Sequence, residues 1–183
     1  MILINGRNLT LEQVIAVARG GEKVEMTPES KAAVNKARDY VDQKLKEKAV
    51  IYGLTTGFGE FSKVYIPQEL TATLQRNLII SHACGMGEPL PEQVVRAAML
   101  LRCNALSKGN SGIRLSTIET MLNMLNKGVH PVIPEKGSLG ASGDLAPLSH
   151  IVLVMLGEGE AFYKGVRMSG KLAMRKAGIP TIE

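Results

Sequence analysis

The sequence predicts a mainly α fold with minor β structure, and three observations predict it. Apolar residues recur three and four positions apart along most of the chain, between breaks of Gly and Pro. The composition is aliphatic: hydrophobic residues make up 45%, aromatics 4%, Trp is absent and Met reaches 9. Such a core suits helices packed through Leu, Ile, Val, Ala and Met. Segments with β character are short and lie beside turn residues.

At the start, Ile2-Leu3-Ile4 reads as a short strand that can pair with Lys23-Val24-Glu25. Between them Thr10 and Gln13 have the spacing of a capping box. Leu11, Val14, Ile15 and Ala18 follow at helical spacing, and Gly20-Gly21 stops that helix. Thr27 as N-cap and Pro28 at the first helical position open a second helix that runs to about residue 48. A glycine-rich segment occupies residues 52–59. Helical patterning resumes over about residues 67–83, 91–108 and 114–127, then breaks at Gly128-Val129-His130-Pro131. A small-residue loop, residues 137–143, leads into an apolar helix over about residues 144–156. Residues 160–163 and 166–168, separated by Lys164-Gly165, suggest a hairpin, and Ser169 caps a last short helix ending at Gly178. With no repeat or long linker, residues 1–183 read as a single domain.

Composition excludes several function classes. Charged residues at 21% are ordinary for a folded protein, so disorder, collagen and coiled-coil fibres are out. The longest uninterrupted apolar run, residues 151–156, is far too short for a bilayer span. Met1-Ile2-Leu3-Ile4-Asn5-Gly6-Arg7 has no basic n-region, long apolar stretch or cleavage site of a signal peptide. Cys84 and Cys103 fit no zinc or redox spacing and are too few for a disulfide framework, so a reducing cytoplasm is the expected setting. The net charge is +5, yet Lys44-Leu45-Lys46-Glu47-Lys48 and residues 171–176 read as solvated helix faces. No aromatics interleave with them and no base-reading motif is present, which argues against nucleic acid.

The informative stretch is Gly137-Ser138-Leu139-Gly140-Ala141-Ser142-Gly143-Asp144-Leu145-Ala146-Pro147-Leu148-Ser149-His150. Its simplest reading is a tight turn in which Ser142 or Asp144 caps the following helix. A phosphate cradle is a second reading, but the loop lacks the Lys-Ser/Thr ending of a P-loop and no Val/Ile-rich strand precedes it. As a whole the string resembles the signature of the histidine and aromatic amino-acid ammonia-lyases. In that family an internal Ala-Ser-Gly condenses into 4-methylideneimidazole-5-one (MIO), and the matching residues here are Ala141, Ser142 and Gly143. The amide nitrogen of Gly143 must attack the carbonyl carbon of Ala141, which a side chain would hinder. Loss of water from Ser142 then leaves an exocyclic methylidene.

Two further strings carry the same resemblance. Tyr52-Gly53-Leu54-Thr55-Thr56-Gly57-Phe58-Gly59 resembles the family's Tyr-Gly-x-x-Thr-Gly-Phe-Gly loop, whose Tyr removes the substrate β-proton. A phenol, with an ordinary pKa of about 10, is a weak base and needs activation by its site. Asn77-Leu78-Ile79-Ile80-Ser81-His82-Ala83-Cys84-Gly85-Met86-Gly87-Glu88-Pro89-Leu90 resembles the segment whose central pair faces the substrate side chain. Ser81-His82 is similar to the histidine-specific branch, where phenylalanine enzymes carry Phe-Leu and bacterial tyrosine enzymes His-Leu. A polar pair suits an imidazole, whereas an apolar pair suits a phenyl ring. His130 and His150 carry no comparable pattern and read as structural.

The resemblance implies elimination of ammonia from L-histidine to give trans-urocanate, with no external cofactor and no metal. The substrate amine would add to the methylidene derived from Ser142, Tyr52 would take the β-proton, and Ser81 and His82 would orient the imidazole. Alternatives are a tyrosine or phenylalanine lyase or aminomutase, or a helical binding domain without the chemistry. Family members are more than twice as long and build each site from three subunits of a homotetramer. The resemblance therefore implies an N-terminal fragment, with the central helical bundle lying beyond Glu183. In the chain as it stands, Ala141-Ser142-Gly143 is expected to remain uncyclised and the chain inactive. Apolar faces at Val94, Val95, Ala98 and Leu101 or over residues 151–156 are expected to be exposed.

Overall fold

The computed structural model describes residues 1–57, 66, 68–138, 140 and 143–182. In chain order the elements are β1 (Ile2–Ile4), α1 (Leu11–Gly20), β2 (Val24–Met26), α2 (Pro28–Lys46), α3 (Gln68–His82), β3 (Met86–Pro89), α4 (Glu92–Leu106), α5 (Leu115–Lys127), β4 (Val129–Pro131), β5 (Pro134–Lys136), α6 (Leu145–Met155), β6 (Glu160–Tyr163), β7 (Val166–Ser169) and α7 (Gly170–Lys176). The fold is mainly α with minor β, as the patterning predicts.

Local signals position the first helices. Thr10 Oγ1 accepts from the Gln13 N–H at 3.3 Å, and Gln13 Oε1 accepts from the Thr10 N–H at 3.0 Å, completing the capping box. Gly21 closes α1 in the left-handed conformation, with φ 70°. Thr27 Oγ1 caps α2 by accepting from the Ser30 N–H at 3.3 Å. That helix stops at Lys46 rather than residue 48, because Lys48 leaves helical geometry at φ 53°. Ser169 precedes α7 but makes no side-chain cap bond.

β1 and β2 pair in parallel, with Ile2 opposite Val24 and Ile4 opposite Met26. The intervening α1 supplies the crossover that a parallel pair needs. β2 begins one residue later than the sequence suggests, since Val24 and Met26 join Ile2 and Ile4 in the core while Glu25 faces out. The hairpin of β6 and β7 forms, and β4 adds to it antiparallel to make a three-stranded sheet. β3 pairs antiparallel with β5, with Met86 opposite Lys136 and Pro89 opposite Pro134. Neither β4 nor the β3–β5 pairing is expected from sequence.

The core is aliphatic and rich in Met, with Met99, Leu100, Ile118, Met124, Ile151 and Met155 fully buried. Of the apolar faces expected to be open, Val94 and Leu101 are exposed, but Val95, Ile151, Val154 and Met155 are buried. The reason is packing already present in this chain: α4 lies on α1 and α5, and α6 on α3 and α7. Among the described residues no helix is long and apolar enough to cross a membrane.

One buried cation ties the helices together. Arg96 is 6% exposed. Its Nε and Nη2 donate to the Val17 carbonyl at 3.0 and 2.8 Å, and its Nη1 donates to the Leu125 carbonyl at 3.1 Å and to His130 Nε2 at 3.0 Å. Val17 and Leu125 sit in the last turns of α1 and α5, where carbonyls lack helical partners and the helix dipole favours a cation.

Candidate active site

The loop over residues 137–143 runs from the end of β5 to the foot of α6. At Gly143 a Cβ would fall 2.6 Å from Ser138 Oγ, so any larger residue there would require the Ser138 side chain to move. Ser138 also donates its hydroxyl to the Gly143 carbonyl. Asp144 stands at the N-cap position of α6 without a side-chain cap bond, so it does not play the capping role its position suggests. Ala141 and Ser142 lie outside the described residues, as do Leu139, Phe58 and Gly59. The residues fit the ring that the motif implies on one structural count: a Cβ at position 143 would crowd Ser138, and ring closure needs an amide nitrogen free of side-chain hindrance.

Ser81 and His82 close α3. The Leu78 carbonyl accepts the Ser81 hydroxyl at 2.8 Å and faces His82 Nδ1 at 2.8 Å. A carbonyl can only accept, so Nδ1 carries the hydrogen and Nε2 of the neutral ring is the acceptor. Ser81 Oγ lies 3.2 Å from the same Nδ1. Ser81 is exposed and His82 half-buried.

Backbone pairing brings the two segments together. β3 follows the end of α3 and β5 precedes the loop, so the β3–β5 pair sets the turn after His82 beside the loop's first residue. A Cβ on Gly137 would fall 3.0 Å from the Gly85 Cα, tighter than such contacts ordinarily are, so the two glycines let the chains approach closely. Across this junction His150 Nε2 accepts from the Gly85 N–H at 3.1 Å. Burial pushes the His150 pKa below its ordinary value, consistent with a neutral ring accepting at Nε2. Sequence reasoning gave His150 no site role; its one signal is its place in the string that holds Ala141-Ser142-Gly143. Further along, Arg76 of α3 pairs with Glu158 beyond α6 at 2.7 Å.

Tyr52 stands on a loop braced by the two threonines of its string. Thr55 Oγ1 accepts from the Ile51 N–H and donates to the Ala49 carbonyl, both at 2.8 Å. Thr56 Oγ1 accepts from the Gly53 N–H at 3.2 Å and donates to the Gly57 carbonyl at 3.0 Å. Both threonines are buried, whereas Tyr52 is 63% exposed. The string thus spends its threonines on backbone geometry and presents the phenol outward.

The remaining candidates have structural surroundings. His130 is buried against Arg96, with Glu92 Oε2 3.4 Å from its Nδ1. Burial pushes its pKa down; Glu92 opposes that and Arg96 adds to it. Burial pushes the Cys103 thiol up to about 12, an inert group, while Cys84 is exposed. Among the described residues no cluster of His, Cys, Asp and Glu could hold a metal ion.

Comparison with known proteins follows the same lines. A histidine ammonia-lyase of Alkaliphilus metalliredigens is 62% identical over 181 residues, covering 99% of this chain and 36% of its own length. The solved structure of a phenylalanine aminomutase from Pantoea agglomerans superimposes with a TM-score of 0.94 at 37% identity, over 100% of this chain and 35% of that one. A histidine ammonia-lyase from Trypanosoma cruzi superimposes with a TM-score of 0.90 at 36% identity, over 99% of this chain and 35% of that one. The chain therefore spans about a third of the length of these relatives. The profile of the aromatic amino acid lyases matches residues 9–183, and the chain belongs to that family.

Proposed function

We propose that this chain supplies the reactive loop, the base and the ring-recognising pair of a histidine ammonia-lyase, which converts L-histidine to trans-urocanate and ammonia. The observation that supports the reading is the junction at Gly85 and Gly137, where the turn after Ser81-His82 lies beside the first residue of the segment that leads to Ala141, Ser142 and Gly143 in the sequence. The 62% identity to a histidine ammonia-lyase supports the same substrate. The MIO group formed from Ala141, Ser142 and Gly143 would supply an electrophile that none of the twenty side chains offers. His82 Nε2 accepts the N–H of the substrate imidazole, and Ser81 Oγ offers a second polar contact to the ring. Tyr52 Oη takes the β-proton. The first turn of α6 adds positive potential beside the loop.

In this reading residues 1–183 are a single N-terminal domain of a longer chain that assembles as a homotetramer in the cytoplasm. The two unpaired cysteines suit a reducing setting. The test is incubation of the full-length protein with L-histidine while the absorbance of urocanate is followed. Conversion of phenylalanine or tyrosine with no urocanate formed would overturn the substrate. An aminomutase is the second reading, favoured by the match to the Pantoea enzyme; a β-amino acid product would establish it.

A further inference from the structure

We propose that His150 is a positioning residue for this reaction: through the Gly85 amide it sets the substrate-facing end of α3 at a fixed place against the reactive loop. The proposal rests on the ammonia-lyase reading above. Gly85 lies three residues beyond His82, and His150 lies in the second turn of the helix that follows Gly143. The hydrogen bond between them therefore joins the element that reads the substrate ring to the element that carries the reactive loop. The contact is close on every side. A Cβ on Gly85 would fall 2.9 Å from His150 Nε2 and 3.0 Å from Pro134 Cβ. Packing alone does not lock α3, since none of its described side chains is fully buried. The bond at its exit turn, acting beside the β3–β5 pairing, thus has leverage on where His82 stands. A ring held by Ser81 and His82 moves with that end of α3, while the reacting carbons must stay at the loop. Loss of the strut should misalign the chemistry more than it weakens ring binding.

The experiment uses the full-length protein with His150→Phe, which removes the acceptor, and His150→Gln, whose Oε1 can replace Nε2. In His150→Phe, kcat should fall about thirtyfold while KM moves less than about threefold. The Gly85 amide should exchange its hydrogen about tenfold faster, having lost its partner. The intact mass should stay two waters below the sequence mass, as in the parent. His150→Gln should recover kcat to within about threefold of the parent. If His150→Phe does not fold, Gly85→Ala presses the same contact from the other side and should reproduce the kcat loss. Full kcat in the folded Phe or Ala variant, a Gln variant as slow as the Phe variant, or return of the Phe variant to the sequence mass would overturn the proposal. A parent that converts a different amino acid overturns the histidine reading alone, because Gly85 exchange and kcat on that amino acid still test the strut.

Discussion

Replacing Arg96 with Met should remove the fastening between α1, α5 and β4 while keeping most of the side-chain volume. In the folded protein the guanidinium serves three buried acceptors, the carbonyls of Val17 and Leu125 and His130 Nε2. A methionine leaves all three without that donor, and each orphaned buried acceptor costs about 1 to 1.5 kcal/mol at the lower end of the usual range. Burial pushes the Arg96 pKa down, a sign that the cation is desolvated, so its removal returns part of that loss. The sum is about 3 kcal/mol, or a Tm lower by roughly 10 °C for a protein of this size. Arg96→Lys keeps the charge but reaches fewer acceptors, and should lose about half as much. Urea unfolding followed by far-UV circular dichroism measures both. A Met variant within about 0.5 kcal/mol of the parent would refute the assignment of Arg96 as the cap of two helix ends.

The burial of His130 and His150 gives a pH dependence with a definite sign. Both have folded pKa values below the ordinary one, so the unfolded chain binds their protons first; stability is full above about pH 6.5 and is lost as pH falls from there through the folded values. A urea midpoint unchanged between pH 8 and pH 5.5 would contradict it. In the full-length protein Ser142→Ala should abolish turnover and leave the far-UV spectrum unchanged, while Tyr52→Phe should lose most of kcat yet still bind substrate in equilibrium dialysis. Exchanging Ser81-His82 for Phe-Leu should lower histidine turnover sharply, by about a hundredfold, because the polar partners of the ring are gone; unchanged histidine kinetics would show that the pair does not read it. For the 183-residue chain by itself, electrospray mass spectrometry should return the full sequence mass, and a mass lower by two waters would mean that this segment matures its own electrophile.

Helices were legible because their signals are local. Thr10, Thr27 and Pro28 announce helix starts through chemistry within one turn, and the structure follows them to the residue. Strand pairing was legible where at most one helix separates the partners, as for β1 and β2 across α1 and for β6 and β7 across Lys164-Gly165. β3 and β5 are separated by α4, α5 and β4, and Met86-Gly87-Glu88-Pro89 has neither alternation nor β-branched residues to mark it. What makes it a strand is the partner that arrives much later in the chain. The same limit moved β2 by one residue, since the choice between Lys23–Glu25 and Val24–Met26 is made by the core that Ile2 and Ile4 face.

The site divides in the same way, into groups named by motif and groups named only by geometry. Tyr52, Ser81, His82 and Gly143 stand out in strings whose residue types the proposed chemistry requires. The roles of Thr55 and Thr56 could not be read there, because a hydroxyl that braces a turn and a hydroxyl that meets a ligand look alike as letters. Arg96 and His150 are the stronger instances. Each sits on a helix among buried apolar residues, Arg96 beside Val95 and Met99 and His150 beside Ile151 and Val154, and each finds its partners on other elements. A buried polar group without partners would destabilise the fold, so its presence in an apolar pattern predicts a partner without naming one. For His150 the partner is the backbone N–H of Gly85, at a crowded place beside Gly137 where the segment leading to α6 begins. That pairing makes an unremarkable helix histidine a side chain whose hydrogen bond joins the turn after Ser81-His82 to the helix that follows Gly143.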